Sequence, residues 1–217
     1  MKILKVILHT SNLDETVHFY RDVIGFTLVN KTETNVDFSI GYSTLVFEEV
    51  KETNPTYHFA FMIPSNAVSE ALAYIESKVP ILPFSEDSVI ANFKNWNAHA
   101  FYFHDNQQNI LEIIAHHDIE SNDKNAFGIS SIISICEIGI VVKDVTEACK
   151  DLNQKYNIPY YIKGPNLKNF SAMGEEDGLF IVSASERGWI PTGALAKRHY
   201  THITYEQDGT VKNYITK

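Results

Sequence analysis

The sequence predicts an α+β protein built from paired βαβββ units that form a curved mixed sheet, and three observations predict it. An apolar strand followed seven residues later by a polar helix cap occurs at Lys5 and Asn12, at His58 and Ser65, and at Glu137 and Asp144. Helical periodicity follows each cap, and short β-type runs between turn residues follow each helix. Residues 118–129 lose this periodicity and gain polar side chains. The chain therefore reads as one complete domain over 1–117, a linker over 118–130 and an incomplete second domain over 131–217.

Each element has a local reason. Residues 3–9 read as a strand whose alternation puts Lys5, Ile7 and His9 on one face. Asn12 with Glu15 resembles a capping box, so a helix starts near Leu13, carries Val17, Tyr20, Val23 and Ile24 on its buried face, and ends at Gly25. Strands over 27–31, 35–42 and 44–50 complete the first unit. The second unit starts with a strand over 56–63. Ser65 or Asn66 caps a helix through Ala71, Leu72 and Ile75 that stops before Pro80. Strands over 89–92, 98–104 and 109–115 follow, the last two joined by Asp105-Asn106-Gln107-Gln108. The third unit runs from Ile133 through a helix capped by Asp144 and Glu147, with Val145, Ala148, Cys149, Leu152 and Tyr156 at helical spacing. Strands over 160–163, 170–173 and 179–183 close it. The fourth unit is cut short to strands over 199–206 and 210–216, with Asp208-Gly209 as the hairpin turn.

Composition bounds the function. The chain has 217 residues, a 44% hydrophobic fraction and a formal charge of −9. An acidic surface disfavours a nucleic-acid partner, which is met by clustered Lys and Arg. No apolar run approaches the roughly 18 residues of a membrane span, and the start of the chain passes directly into a strand pattern, so a cytoplasmic location without membrane contact is expected. Small molecules are the expected partners. Cys136 and Cys149 lack CxxC spacing and a nearby His, which disfavours a redox or zinc role, and they read as buried thiols.

Two stretches carry a family resemblance. Asn12-Leu13-Asp14-Glu15-Thr16-Val17-His18-Phe19-Tyr20-Arg21-Asp22-Val23-Ile24-Gly25-Phe26 is similar to the D-L-x-x-S-x-x-F-Y-x-x-x-L-G-F pattern of the vicinal oxygen chelate superfamily. Phe101 to Glu112 resembles that superfamily's F-x-x-D-P-D-G-N-x-x-E turn and closing strand. The superfamily includes glyoxalase I, bleomycin resistance proteins and extradiol dioxygenases. The resemblance is specific for fold and weak for reaction, because one scaffold hosts many chemistries.

The resemblance implies a divalent metal held at the first and last strands of paired units, where it chelates neighbouring substrate oxygens as a Lewis acid. Mapped onto this chain, the first-strand positions are Lys5 and His58 and the last-strand positions Glu48 and Glu112, with Glu49 replacing Glu48 if the register slips by one. His58, Glu48 and Glu112 suit Zn, Ni, Mn, Fe or Co, and no nucleotide cofactor is implied. Lys5 departs from the usual His: protonated, it cannot ligate, and it would pair instead with Glu48 or Glu112. His9 shares its face but lies about 13 Å along the strand. His99, Phe101 and Trp96 join Lys5 and His9 as candidate ligand contacts, with Phe103 and Tyr42 as further aromatic wall. In the second half the corresponding positions are Glu137, Val182 and His202, too few ligands for a metal, which argues against an extradiol dioxygenase. The segment 186–193, with Trp189 between turn residues, folds over a cavity or caps the half-barrel.

Three functional readings stand. The first is a glyoxalase-like or bleomycin-resistance-like protein with a small molecule in the cup of residues 1–115, its metal on His58, Glu48 and Glu112 and a carboxylate, Glu112 or Glu48, acting as base beside a carbonyl, as in a lyase or isomerase. The second is a metal-free binding protein in which Lys5 recognises an anion. The third is a dimerisation module, a homodimer being compatible with any of them.

Overall fold

The computed structural model describes all residues except Glu52, Lys124 and Lys217. Its strands are β1 (Lys2–Thr10), β2 (Thr27–Lys31), β3 (Asn35–Ile40), β4 (Ser43–Glu49), β5 (His58–Met62), β6 (Ile81–Leu82), β7 (Ala91–Phe93), β8 (Ala98–His104), β9 (Ile110–His116), β10 (Ser134–Val142), β11 (Asn166–Leu167), β12 (Phe170–Glu175), β13 (Gly178–Ala184), β14 (Thr201–Gln207) and β15 (Thr210–Thr216). Helix α1 begins at Leu13–Val17 and continues in π-helical form over His18–Ile24; α2 is Val68–Glu76 and α3 Val145–Tyr156.

Local signals act as the sequence suggests at most element ends. The Asn12 side chain accepts a bond from the Glu15 amide at 3.1 Å, and Asp144 accepts one from the Glu147 amide at 2.9 Å. Gly25 ends the first helix at φ 102°, a left-handed conformation that a side chain would strain. Asp208 and Gly209 both adopt positive φ, 51° and 70°, as the two-residue hairpin between β14 and β15 requires. At α2 the expectation fails. Ala67 precedes the helix without a side-chain cap, whereas Ser65 Oγ donates to Asn122 at 3.0 Å and Asn66 Nδ2 to the Asp123 carbonyl at 2.7 Å. The expected cap residues instead hold the 118–130 segment against the second unit. The strand expected over 160–163 is reduced to a single bridge between Tyr160 and Met173.

The largest correction is which units share a sheet. The expected sheet joining residues 1–50 to 56–115 does not form. One sheet has the order β15-β14-β1-β4-β3-β2, so the first unit pairs with the terminal hairpin. The other has the order β11-β12-β13-β10-β5-β9-β8-β6, with β7 also on β8, so the second unit pairs with the third. The joints are antiparallel pairs of first strands, β1 with β14 and β5 with β10. Burial gives the physical reason. Strands β5 and β10 are apolar nearly throughout and buried on both faces, whereas β1 and β14 alternate buried and half-buried positions. Pairing like with like gives β5 and β10 a covered sheet and leaves one face of the β1 sheet wetter.

Between the sheets lies one contiguous apolar core. Val6, Phe38 and Phe47 from the first sheet meet Phe61, Phe101, Ile113 and Phe180 from the second, together with side chains of all three helices. A second cluster, including Ala60, Met62, Ala100, Ile114, Ile181 and Trp189, covers the opposite face of the second sheet. That face holds the cavity.

Candidate metal centre and ligand cavity

His58 opens β5, and strand alternation aims it at the second cluster's face with Ala60 and Met62. The parallel neighbour β9 brings Glu112 opposite Ala60, and the antiparallel neighbour β10 brings Glu137 opposite the same residue. One ligand atom from each of His58, Glu112 and Glu137 lies within 4.8 Å of the others. All three are nearly inaccessible to solvent, at 6%, 2% and 3% exposure.

Electrostatics makes this an uneasy trio without a cation. His58 Nδ1 lies 3.0 Å from the Ile110 carbonyl, which can only accept, so Nδ1 carries the proton and Nε2 presents its lone pair. That lone pair lies 3.5 Å from Glu112 Oε2. Burial pushes the His58 imidazole down to about 4, so the contact is not an ion pair despite its length. Burial, with the neighbouring Glu137 charge, pushes Glu112 well above the usual carboxylate range, and burial pushes Glu137 up to about 8. Glu112 Oε1 and Glu137 Oε1 have no hydrogen-bond partner among the described residues. Two buried carboxyls with orphaned oxygens and an imidazole whose outer nitrogen is pinned by a backbone carbonyl form a donor set that fits a divalent cation.

The trio lines a cavity of about 540 Å³, in the range of small-molecule sites. Its walls include Phe93, Trp96, Tyr102, Phe170, Ile181 and Trp189, with the cationic side chains Lys94, Lys163 and Arg187. Trp96 is tied in place by its indole N–H, which donates to the Gly164 carbonyl at 2.7 Å. Lys163 is already paired with Asp118, at 2.5 Å, and with Glu176. Arg187 lies 3.8 Å over the Phe170 ring. Trp189 belongs to the 186–193 segment, which does fold over the cavity: its ring sits 5.0 Å from that of His58. Gly139 makes room, since a Cβ there would stand 2.9 Å from Trp189 Cη2.

Several candidate residues lie elsewhere. Glu48 and Lys5 are in the first sheet, on β4 and β1, and do not join His58 and Glu112. The four-residue convergence expected from chain order therefore fails. His9 also belongs to the first sheet, stacked at 4.6 Å on Tyr200 and 4.0 Å from Glu48. Phe101 and Phe103 point into the core between the sheets, because cavity-facing positions on β8 are Ala98, Ala100 and Tyr102. His99, on the same side as Phe101, meets His117 at 2.7 Å on the exposed surface. Tyr42 is 41% exposed, and His202 faces Asn213 on the first sheet. The counterpart of Glu112 in the third unit is Ile181, not Val182: Glu112 pairs with Ala60, two residues past His58, and Ile181 with Gly139, two past Glu137. Val182 is on the core side. Trp96 alone of the five expected ligand contacts lines the cavity, and Glu137, which chain order assigns to the second half, is the third donor beside His58 and Glu112. Its place at the head of the third repeat, matching His58 in the second, was the available signal.

Comparison with known proteins agrees with this architecture. The chain belongs to the Glyoxalase/Bleomycin resistance protein/Dioxygenase superfamily, whose family model matches residues 2–155. A dioxygenase-like protein from Bacillus subtilis is similar with a TM-score of 0.60 and 13% identity, over 84% of this chain and 63% of that one. Glyoxalase I from Zea mays is similar with a TM-score of 0.54 and 13% identity, over 84% and 66%. Lactoylglutathione lyase from Agrobacterium tumefaciens shares 23% identity over 52% of this chain and 92% of its own, with a TM-score of 0.44. This chain thus spans just under two thirds of the length of the first two. No curated protein matches in sequence. The likenesses to the Bacillus subtilis and Zea mays proteins establish the fold. No helix among the described residues is long and apolar enough to cross a membrane.

Proposed function

We propose that this chain is a metal-dependent enzyme of the glyoxalase type, a lyase or isomerase that works on a small molecule in the cavity between the second and third units. The observation that carries the reading is the convergence of His58, Glu112 and Glu137 within 4.8 Å on one wall of that cavity. His58 would hold the ion through Nε2, and Glu112 and Glu137 through carboxylate oxygens, a one-imidazole, two-carboxylate set suited to Mn, Fe, Zn or Ni. When bound, the ion supplies Lewis acidity to neighbouring oxygens of the substrate.

The chain's own residues supply the rest. Ile181 occupies the fourth symmetric position with no donor, which leaves coordination positions for substrate oxygens. Glu112 and Glu137 face the same space and can take or return a proton at a carbon beside a carbonyl. The aromatic walls at Trp96, Tyr102 and Trp189 exclude water and suit a substrate with an apolar or aromatic body. Arg187, at the same cavity, suits an acidic group on that body.

The test is exchange chemistry. Protein loaded with Mn, Zn or Ni is incubated in deuterated water with a panel of small α-hydroxycarbonyl compounds, and loss of the proton beside the carbonyl is followed by NMR. Exchange that requires the metal and disappears in Glu112→Gln and Glu137→Gln supports the enzyme. Metal and ligand binding without exchange across the panel would instead favour a binding protein.

A further inference from the structure

A second set of donors meets Glu137 beyond the trio already described. His116, Cys136 and Glu137 each offer a ligand atom, and these atoms all lie within 4.8 Å of one another. The five donors of the two sets share only Glu137. Neither ring nitrogen of His116 has a hydrogen-bond partner among the described residues, and its side chain is 0% exposed. Its Nε2 lies 3.9 Å from Glu137 Oε1, itself without a partner.

The strands bring these groups together by two separate devices. His116 ends β9 four residues past Glu112, so alternation puts both on the cavity face. Cys136 sits where the β10 register on β5 shifts between Ile135 and Glu137. Such a bulge re-aims a side chain, here turning Cys136 to the same face as Glu137 rather than away from it. The Cys136 thiol donates only a long contact, 3.7 Å, to the Ala60 carbonyl. The His116 ring stacks on Trp96 at 6.3 Å, but that contact leaves its two ring nitrogens and the Glu137 oxygen without the partners that buried polar groups ordinarily have.

We propose that His116, Cys136 and Glu137 form a second metal site, for a borderline-soft divalent ion such as Zn²⁺, with Glu137 bridging it to the ion on His58 and Glu112. Thiolate and imidazole donors favour zinc over harder ions. Binding requires the Cys136 thiol to give up its proton, which passes to buffer as the Zn–S bond forms.

Cobalt substitution tests the site, because a sulfur-to-cobalt charge-transfer band in the near ultraviolet reports thiolate ligation directly. Metal-stripped protein is loaded with Co²⁺, freed of unbound ion and analysed for metal content and absorbance. The expected result is about two ions per chain with the charge-transfer band. Cys136→Ser should keep about one ion and lose the band; His58→Ala should keep the band and lose about one ion. One ion with a band that Cys136→Ser abolishes would support this site while sinking the His58–Glu112–Glu137 reading. One ion without the band would overturn this proposal and leave that reading intact. Two ions without the band, or no ion at all, would also overturn it. Cys149→Ser, which removes the other free thiol, should keep the band and so ties the wild-type signal to Cys136; a band lost in Cys149→Ser and kept in Cys136→Ser would overturn the proposal.

Discussion

His58 presents Nε2 to Glu112 at 3.5 Å because its other ring nitrogen is occupied by the Ile110 carbonyl at 3.0 Å. The backbone of the neighbouring strand thus selects the tautomer, as a carbonyl behind the ring does for metal-binding histidines generally. The expected outcome in metal-free protein at neutral pH is an imidazole protonated at Nδ1 alone, read from the ring nitrogen shifts in a long-range ¹⁵N–¹H spectrum. An Nε2-protonated ring would mean that the lone pair does not face the carboxyls.

The Tyr20–Asp105 contact predicts a stability effect remote from the cavity. Tyr20 is fully buried, and its hydroxyl donates to Asp105 Oδ2 at 2.7 Å; the same carboxylate accepts from Asn109 Nδ2 at 2.6 Å. Tyr20→Phe leaves the buried carboxylate short of one donor, at a cost of about 1–3 kcal/mol. Urea denaturation should show a lower midpoint with metal content unchanged. Loss of metal along with stability would tie this network to the site.

That contact also explains how much was legible in the sequence. The two motif matches, 12–26 and 101–112, meet at Tyr20 and Asp105, so the stretch that most strongly marks the superfamily is structural glue between units. It announced the fold and misdirected the site toward residues 1–115. Choosing the partner of the second unit needed the burial pattern instead: the nearly unbroken apolar runs of β5 and β10 differ from the alternation of β1 and β14. Alternation within a strand could place His58 with Glu112. It could not foresee the bulge at Cys136, which depends on register between distant strands.

Gly139→Ala should disturb the cavity roof. The added Cβ would stand 2.9 Å from Trp189 Cη2 and 3.1 Å from the His58 carbonyl, so the indole must move. Trp189 is 7% exposed and should become wetter, giving a red-shifted emission maximum when compared in a Trp96→Phe background. An unshifted spectrum would mean that the indole is not seated on the strand.

Two histidines outside the cavity set a pH dependence. Burial lowers His9 below its ordinary value of 6.5, partly offset by Glu48, and burial also lowers His199, with the Lys197 and His9 charges acting in the same direction. Each takes up its proton in the unfolded chain before the folded one, so stability is full above pH ~6.5 and falls as pH drops from there toward the folded values. Histidine ring resonances should titrate with midpoints below 6.5 for both. Replacing either by Gln should flatten the acid side of the stability curve; midpoints above 6.5 would reverse the sign.

The central claim is that His58, Glu112 and Glu137 hold a divalent ion while Glu48 and Lys5 have no part in it. Mn²⁺ is the discriminating probe, because it suits carboxylate and imidazole donors and neglects thiolate. The measurement is the electron paramagnetic resonance signal of free Mn²⁺ during titration of metal-stripped protein. Wild type should remove about one equivalent, His58→Ala, Glu112→Gln and Glu137→Gln should each weaken binding by more than about tenfold, roughly 1.4 kcal/mol, and Glu48→Gln and Lys5→His should bind as wild type does. Wild-type protein that leaves the free signal untouched, or binding that survives His58→Ala and is lost in Glu48→Gln, would contradict the account.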